Sequence, residues 1–225
     1  MLNQSRELEK IVTRSPKPGI SLLIMNTAKT AKFIVPVFFG LIITWVIFTN
    51  NSLVQKEETV NQTWAQVENV YQRRADLVPN LVNTVKGYAK HEKETLEGVI
   101  QARNLALSAS GQAKAAPGSA TSEDKVKTFA AAQDTLGAAL SRLMVVVERY
   151  PELKANENFR DLQSQLEGSE NRIAVERRRF NEAVQTYNST VRSFPTSVVA
   201  GFRGFEKKAY FEAAQGSDVA PKVDF

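Results

Sequence analysis

The sequence predicts an all-α protein: an N-terminal transmembrane helix followed by an elongated antiparallel up-down four-helix bundle. Three observations carry this reading. One uncharged apolar run, Phe33 to Val54, is long enough to cross a bilayer as a helix, which takes about 20 residues. Downstream, apolar residues recur at three- and four-residue spacing, and no stretch alternates like a strand. Prolines and small-residue clusters cut that pattern into lengths that suit a bundle.

Composition narrows the chemistry. The 225 residues are 43% hydrophobic and 24% charged, which fits neither a disordered nor a fibrous chain. There is no cysteine, so disulfides and thiolate catalysis are excluded, and a lone His91 excludes a multi-histidine metal site. Of the net charge of +5, residues 1–32 carry +4, leaving the rest nearly neutral. A domain that bound phosphate backbones would hold the excess itself, so no nucleic-acid partner is expected.

Residues 1–32 read as a basic N-terminal arm, with Lys29 and Lys32 just before the span. Residues 33–54 are the transmembrane helix, with Trp45 and Phe48 near its far interface. A long preceding segment and the lack of a small-x-small site argue against a cleaved signal. Lysines before the span, and Lys56 balanced by Glu57 and Glu58 after it, place the N-terminus in the cytoplasm and residues 55–225 outside. The arm is then an orientation signal, with contact to anionic lipid heads as the alternative.

Residues 55–194 form the bundle. Val60, Trp64, Val67 and Tyr71 make one stripe, and Leu81, Val85, Tyr88, Thr95 and Val99 another. Ser108 to Thr121 reads as a loop. Ser122, with Glu123 and Asp124, opens a helix whose stripe runs from Val126 to Tyr150, and Pro151 to Ala155 breaks it. Asn156 caps the longest helix, where Phe159, Leu166, Ile173, Phe180, Tyr187 and Phe194 recur every seven residues until Pro195. Residues 195–225 carry Phe202, Phe205, Tyr210 and Phe211 beside Arg203, Lys207 and Lys208, then a polar tail. That segment is expected at the membrane end, against lipid heads, a neighbouring subunit or its own bundle.

Gln72 to Glu92 decides the topology. Pro79 has no N–H and disfavours the α conformation of Val78, so the helix must kink or turn there. The seven-residue register carries through Pro79 (Arg74, Val78, Leu81, Val85), which favours a kinked continuous helix. Helix lengths favour a turn at Arg73–Pro79, with Asp76 as N-cap of the next helix, and the turn is the reading taken. The turn sets Arg73, Arg74, Asp76, Pro79 and Asn80 beside Tyr150, Pro151, Glu152, Lys154 and Asn156 at the membrane-distal tip, a candidate interaction surface. The same register sets Glu92, Glu170 and Arg172 at one height, a candidate polar layer in the core, where charges must be paired.

Several long runs resemble the LemA family of bacterial membrane proteins. They are Arg73-Arg74-x-Asp76-Leu77-Val78-Pro79-Asn80-Leu81-Val82, Thr84-Val85-Lys86-Gly87-Tyr88-Ala89-x-His91-Glu92 and Tyr150-Pro151-Glu152-Leu153-Lys154-Ala155-Asn156-x-x-Phe159. Glu170-Asn171-Arg172-Ile173-Ala174, Phe180-Asn181, Tyr187-Asn188 and Phe194-Pro195 follow, so the resemblance spans roughly residues 40–211. It implies a membrane anchor and a helical-bundle domain, and brings no catalytic residues. The basic arm is not part of that pattern.

The residues themselves offer no catalytic constellation. His91-Glu92 begins like a zinc-binding His-Glu-x-x-His, but Thr95 stands where the second histidine belongs. No phosphate-binding glycine loop or Gly-x-Ser-x-Gly elbow occurs. The sequence therefore points to a non-enzymatic, single-pass protein of the bacterial inner (cytoplasmic) membrane, without cofactor or small-molecule substrate. Its expected partners are membrane lipid, copies of itself and an unidentified envelope protein. The alternative is a tethered adaptor or sensor that contacts anionic lipid and a partner.

Overall fold

A computed structural model describes the backbone of residues 18–114 and 122–212 and the side chains of residues 34–111 and 122–212. Among these the regular structure is entirely helical: α1 (Pro18–Tyr88), α2 (Lys93–Lys114), α3 (Glu123–Val147), α4 (Pro151–Ala155), α5 (Glu157–Arg192) and α6 (Thr196–Arg203). The chain divides into two units, Met1–Thr49 and Asn50–Phe225. In the first, every side chain from Ile34 to Phe48 is exposed although nearly all are apolar, and the helix is long and apolar enough to cross a membrane. An apolar helix with no protein cover fits a membrane anchor. The basic arm lies largely outside the described residues.

The expected turn at Arg73–Pro79 does not exist. α1 runs unbroken through Pro79, and the chain reverses at Ala89–Glu92 instead. Asp76 is therefore no N-cap; it is an exposed mid-helix residue that accepts a hydrogen bond from Gln72 Nε2 at 2.9 Å. Proline inside a helix orphans the carbonyl four residues earlier. Here that carbonyl belongs to the buried Ala75, and Arg103 Nε of α2 donates to it at 2.8 Å. A neighbouring helix thus supplies the donor that Pro79 lacks.

The length argument for a turn fails although the paired helix has the expected length, because the chain reverses after Tyr88 and the pairing is counted from there. α5 has 36 residues, or about 54 Å at ~1.5 Å each. Counted down from Tyr88 rather than from Pro79, an equal length of α1 ends at Leu53. The two run antiparallel over it: Asn156 meets Tyr88 at one end and Arg74 meets Glu170 midway. Val60, Trp64, Val67 and Tyr71 consequently find partners in Ile173, Phe180, Val184, Tyr187 and Val191.

The core of Asn50–Phe225 has two parts. The upper cluster draws on all four long helices, with Val78, Leu81 and Val85 from α1, Leu96 and Val99 from α2, Leu136, Leu140 and Leu143 from α3, and Phe159 and Leu166 from α5. The lower cluster is mainly α1 against α5. It is closed by the start of α3 (Val126, Phe129, Ala132) and by Phe211 from the C-terminal segment. Leu53, at the end of the apolar run, belongs to this cluster and is fully buried.

Two further boundaries differ from expectation. α2 continues through Ser108 to Lys114, because Ala106 and Ala109 keep its buried face going, while residues 115–121 lie outside the described residues. The seven-residue stripe of α5 stops short of Phe194. α5 ends at Arg192, and Phe194 turns outward to 84% exposure.

The donation from Arg103 predicts a coupling. Arg103→Met should destabilise the protein by about 1–3 kcal/mol, the cost of an unpaired buried carbonyl. In a Pro79→Ala background residue 79 regains an N–H for that carbonyl, and the same Arg103→Met change should cost clearly less. Denaturant titrations of the four proteins measure the coupling, and strict additivity would contradict the account.

Candidate functional site

A buried charge separates the two core clusters. The Arg74 side chain is only 4% exposed, between Tyr71 below and Val78 above. Its Nη1 donates to Glu170 Oε1 at 2.6 Å, and its Nη2 donates to the main-chain oxygen (3.0 Å) and Oε1 (2.9 Å) of Gln133. The guanidinium also lies over the Tyr71 ring, 5.1 Å from its centre. Gln133 Nε2 reaches the Ala106 carbonyl at 3.5 Å, so this level touches all four long helices. Such a pair specifies register more than it adds stability, because taking a charge out of water offsets most of the attraction.

A polar core layer was expected, with a different membership. Glu170 belongs to it, half exposed at its outer end. Arg172 does not; it is exposed on the outer side of α5. Glu92 sits at the tip, about 20 Å above, counted along α1 from Arg74 to the turn at ~1.5 Å per residue. With the turn placed too early, Arg74 was assigned to the tip and Glu92 to the layer.

The true tip joins the α1–α2 turn to the segment around α4. Glu92 Oε1 accepts from Arg149 Nη2 (2.9 Å) and from the Tyr150 hydroxyl (3.2 Å). Asn156 Oδ1 caps α5 by accepting from the Phe159 N–H at 3.0 Å, and its Nδ2 donates to the Tyr88 hydroxyl. Of the proposed surface, Tyr150, Pro151, Glu152, Lys154 and Asn156 are at this tip. Pro151, Glu152 and Lys154 are exposed there, Lys154 pairing with Glu148 at 2.7 Å. Arg73, Asp76, Pro79 and Asn80 are exposed too, but on the flank of α1, well below the tip. The two halves of that surface do not meet.

At the other end, residues 205–212 cross the lower core as an extended strap. Asn188 Nδ2 donates to the Lys208 carbonyl and its Oδ1 accepts the Lys208 N–H, both at 2.9 Å. Asn181 does the same for Phe211. Seven helical residues rise about 10.5 Å, and three extended residues span about 10 Å, so the spacings match. Each side-chain amide acts like a neighbouring strand. The strap delivers Phe211 onto Trp64, stacked at 5.6 Å and 15°, while Lys208 pairs with Glu57 at 2.7 Å. Packing on its own bundle is therefore the outcome for Phe211, Phe205 and Ala209.

These arrangements hold helices together. Among the described residues no cluster of three or more acidic, histidine or cysteine side chains could hold a metal ion. Arg103, Asn181 and Asn188 are the structural residues that sequence reasoning gave no role. A signal existed for the asparagines, since Phe180-Asn181 and Tyr187-Asn188 repeat at seven residues beside a core position. None pointed to Arg103.

A family model described as the LemA family matches residues 63–225, which takes in the layer, the tip and the strap. The chain belongs to the LemA family. The match begins downstream of the apolar run and extends past the strap, whereas the resemblance had seemed to span residues 40–211. Among relatives of this LemA-family chain, the magnetosome protein MamQ of Magnetospirillum gryphiswaldense is 26% identical over 199 residues, 80% of this chain and 72% of that protein. Magnetosome protein MamQ 2 of Paramagnetospirillum magneticum is also 26% identical, over 240 residues, 96% of this chain and 84% of its own. Protein LemA of Metamycoplasma hominis is 24% identical over 205 residues, 88% of each chain.

Two outcomes check this geometry. Glu170→Ala should cost about 1–3 kcal/mol by stranding the buried Arg74 guanidinium, tempered by the half-exposed carboxylate. Arg172→Met should stay within about ±0.5 kcal/mol. Equal melting temperatures for the two variants would contradict the assignment. Second, the buried Tyr187 phenol is pushed up to about 12 by burial, with Glu57 and Glu206 adding to it. The folded state thus favours the neutral phenol. The stabilisation is full below the ordinary value of 10.0 and is lost as pH rises towards 12. Tyr187→Phe should flatten the alkaline limb of the stability curve, and an unchanged limb would contradict it.

Proposed function

We propose that this LemA-family protein is a non-enzymatic, self-associating scaffold of the bacterial envelope, anchored in the inner membrane with its helical domain outside the cytoplasm. The observation that carries the reading is how the polar groups at the core are used. The buried Arg74, Gln133 and Asn188 and the half-buried Asn181 each bond across helices or to the strap, so these four groups serve the fold. Structural use of these groups fits a protein that presents surfaces rather than one that turns over a substrate.

Two exposed surfaces are offered for partners. One is the tip, where Pro151, Glu152 and Lys154 are exposed. The other is the α1 flank, where Arg73, Asp76 and Asn80 share one side at helical spacing. The relatives named MamQ are magnetosome proteins by name, and a partner of this chain is expected to be a protein of its own envelope.

The test is the native particle. Extracted in mild detergent, the protein should migrate and scatter as a multiple of its 25.0 kDa chain. A single-chain particle to which no envelope protein crosslinks would overturn the scaffold reading. In the same strain, Val145→Cys should react with an impermeant maleimide on spheroplasts; labelling only after lysis would reverse the orientation.

A further inference from the structure

Most exposed apolar side chains of Asn50–Phe225 are scattered: Val145 on α3, Ile100 and Leu105 on α2. One group is not. Val198 and Phe202 lie one turn apart on α6, 50% and 88% exposed, and Phe194, in the turn that leads into α6, is 84% exposed. The opposite face of α6 is anchored, because Val199 and Ala200 are buried in the domain. Gly204, at φ +74°, then ends α6 in a left-handed conformation that side chains disfavour and turns the chain into the strap. The aromatic face is therefore held outward by packing behind it.

Its place in the fold says what covers it. Arg203 Nε donates to Asn50 Oδ1 at 2.9 Å, so α6 is fixed beside the residue where the domain begins. Asn50 follows Phe48, the last of the uncovered apolar run, by only two positions. Charge agrees: between residues 192 and 207, Arg192, Arg203 and Lys207 face a single carboxylate, Glu206. Apolar side chains flanked by cations, on a short helix, suit the headgroup–acyl boundary of an anionic bilayer.

We infer that Phe194, Val198 and Phe202 form a lipid-facing foot that dips into the outer surface of the membrane and fixes the domain against it. This rests on the reading of the N-terminal helix as a membrane anchor. The foot adds a second attachment, which a single helix alone does not supply: it restrains tilt and rotation of the domain over the bilayer.

The chain has no cysteine, so an introduced one is its sole thiol. Three full-length variants, Phe39→Cys, Phe202→Cys and Val145→Cys, are spin-labelled and reconstituted into vesicles of phosphatidylcholine and phosphatidylglycerol. Collision rates with oxygen and with a water-soluble nickel chelate are compared. The oxygen-to-nickel ratio is expected to be highest for Phe39→Cys, several-fold lower for Phe202→Cys and lowest for Val145→Cys. If Phe39→Cys itself reads as aqueous, the anchor reading fails. If it reads as lipid while Phe202→Cys matches Val145→Cys, the foot alone is overturned. Low collision with both reagents at Phe202→Cys would mean protein cover, a second copy of the chain, and would equally overturn it.

Discussion

The architecture depends on one hydrogen bond from outside the helix it serves. Without Arg103, the carbonyl of Ala75 would sit buried and unpaired beside Pro79. With it, α1 stays helical to Tyr88, and every later position shifts by about ten residues. The partner length of α5, the identity of the core layer and the composition of the tip all follow from that continuity.

The same continuity explains the two-part core. The stretch of α1 from Leu53 to Tyr88 and the equally long α5 outreach α2 and α3, which together cover the upper part. In the lower part the start of α3 covers the α1–α5 pair only partly, and the strap completes the cover with Phe211, packed against Phe129. Asn181 and Asn188 then do for the strap what Arg103 does for Pro79: a side chain completes main-chain bonding that regular structure leaves undone. Between the clusters, Arg74 and Glu170 discourage slippage, since moving either helix by a turn would leave a charge against leucine or phenylalanine.

Much of this was legible in the chain. The apolar run, the all-helical class, the helix after Ser122 and the Asn156 cap follow from local patterns, which depend on residues close in sequence. Family membership was legible from long motif runs. Pro79 was not, because its consequence is decided by an arginine on another helix, and nothing local reports that contact. Placing the turn there carried a single error into Arg74, Glu92 and Arg172 together. Phe194 misled for a related reason: its seven-residue spacing is that of the core, but the helix ends before reaching it. Exposure of that side chain could be read only from the folded chain.

The strap has a consequence for the order in which the protein is made. Trp64 lies in the first third of the chain, yet the ring stacked upon it, Phe211, is translated about 150 residues later. At roughly 5–20 residues per second, that ring arrives on the order of ten seconds after its partner. Upper-core contacts between α1 and α2 are local and need no such wait. The upper cluster can therefore close first, and the lower cluster is completed only when the strap arrives. During that interval the Trp64 indole lacks the ring that covers it in the folded protein.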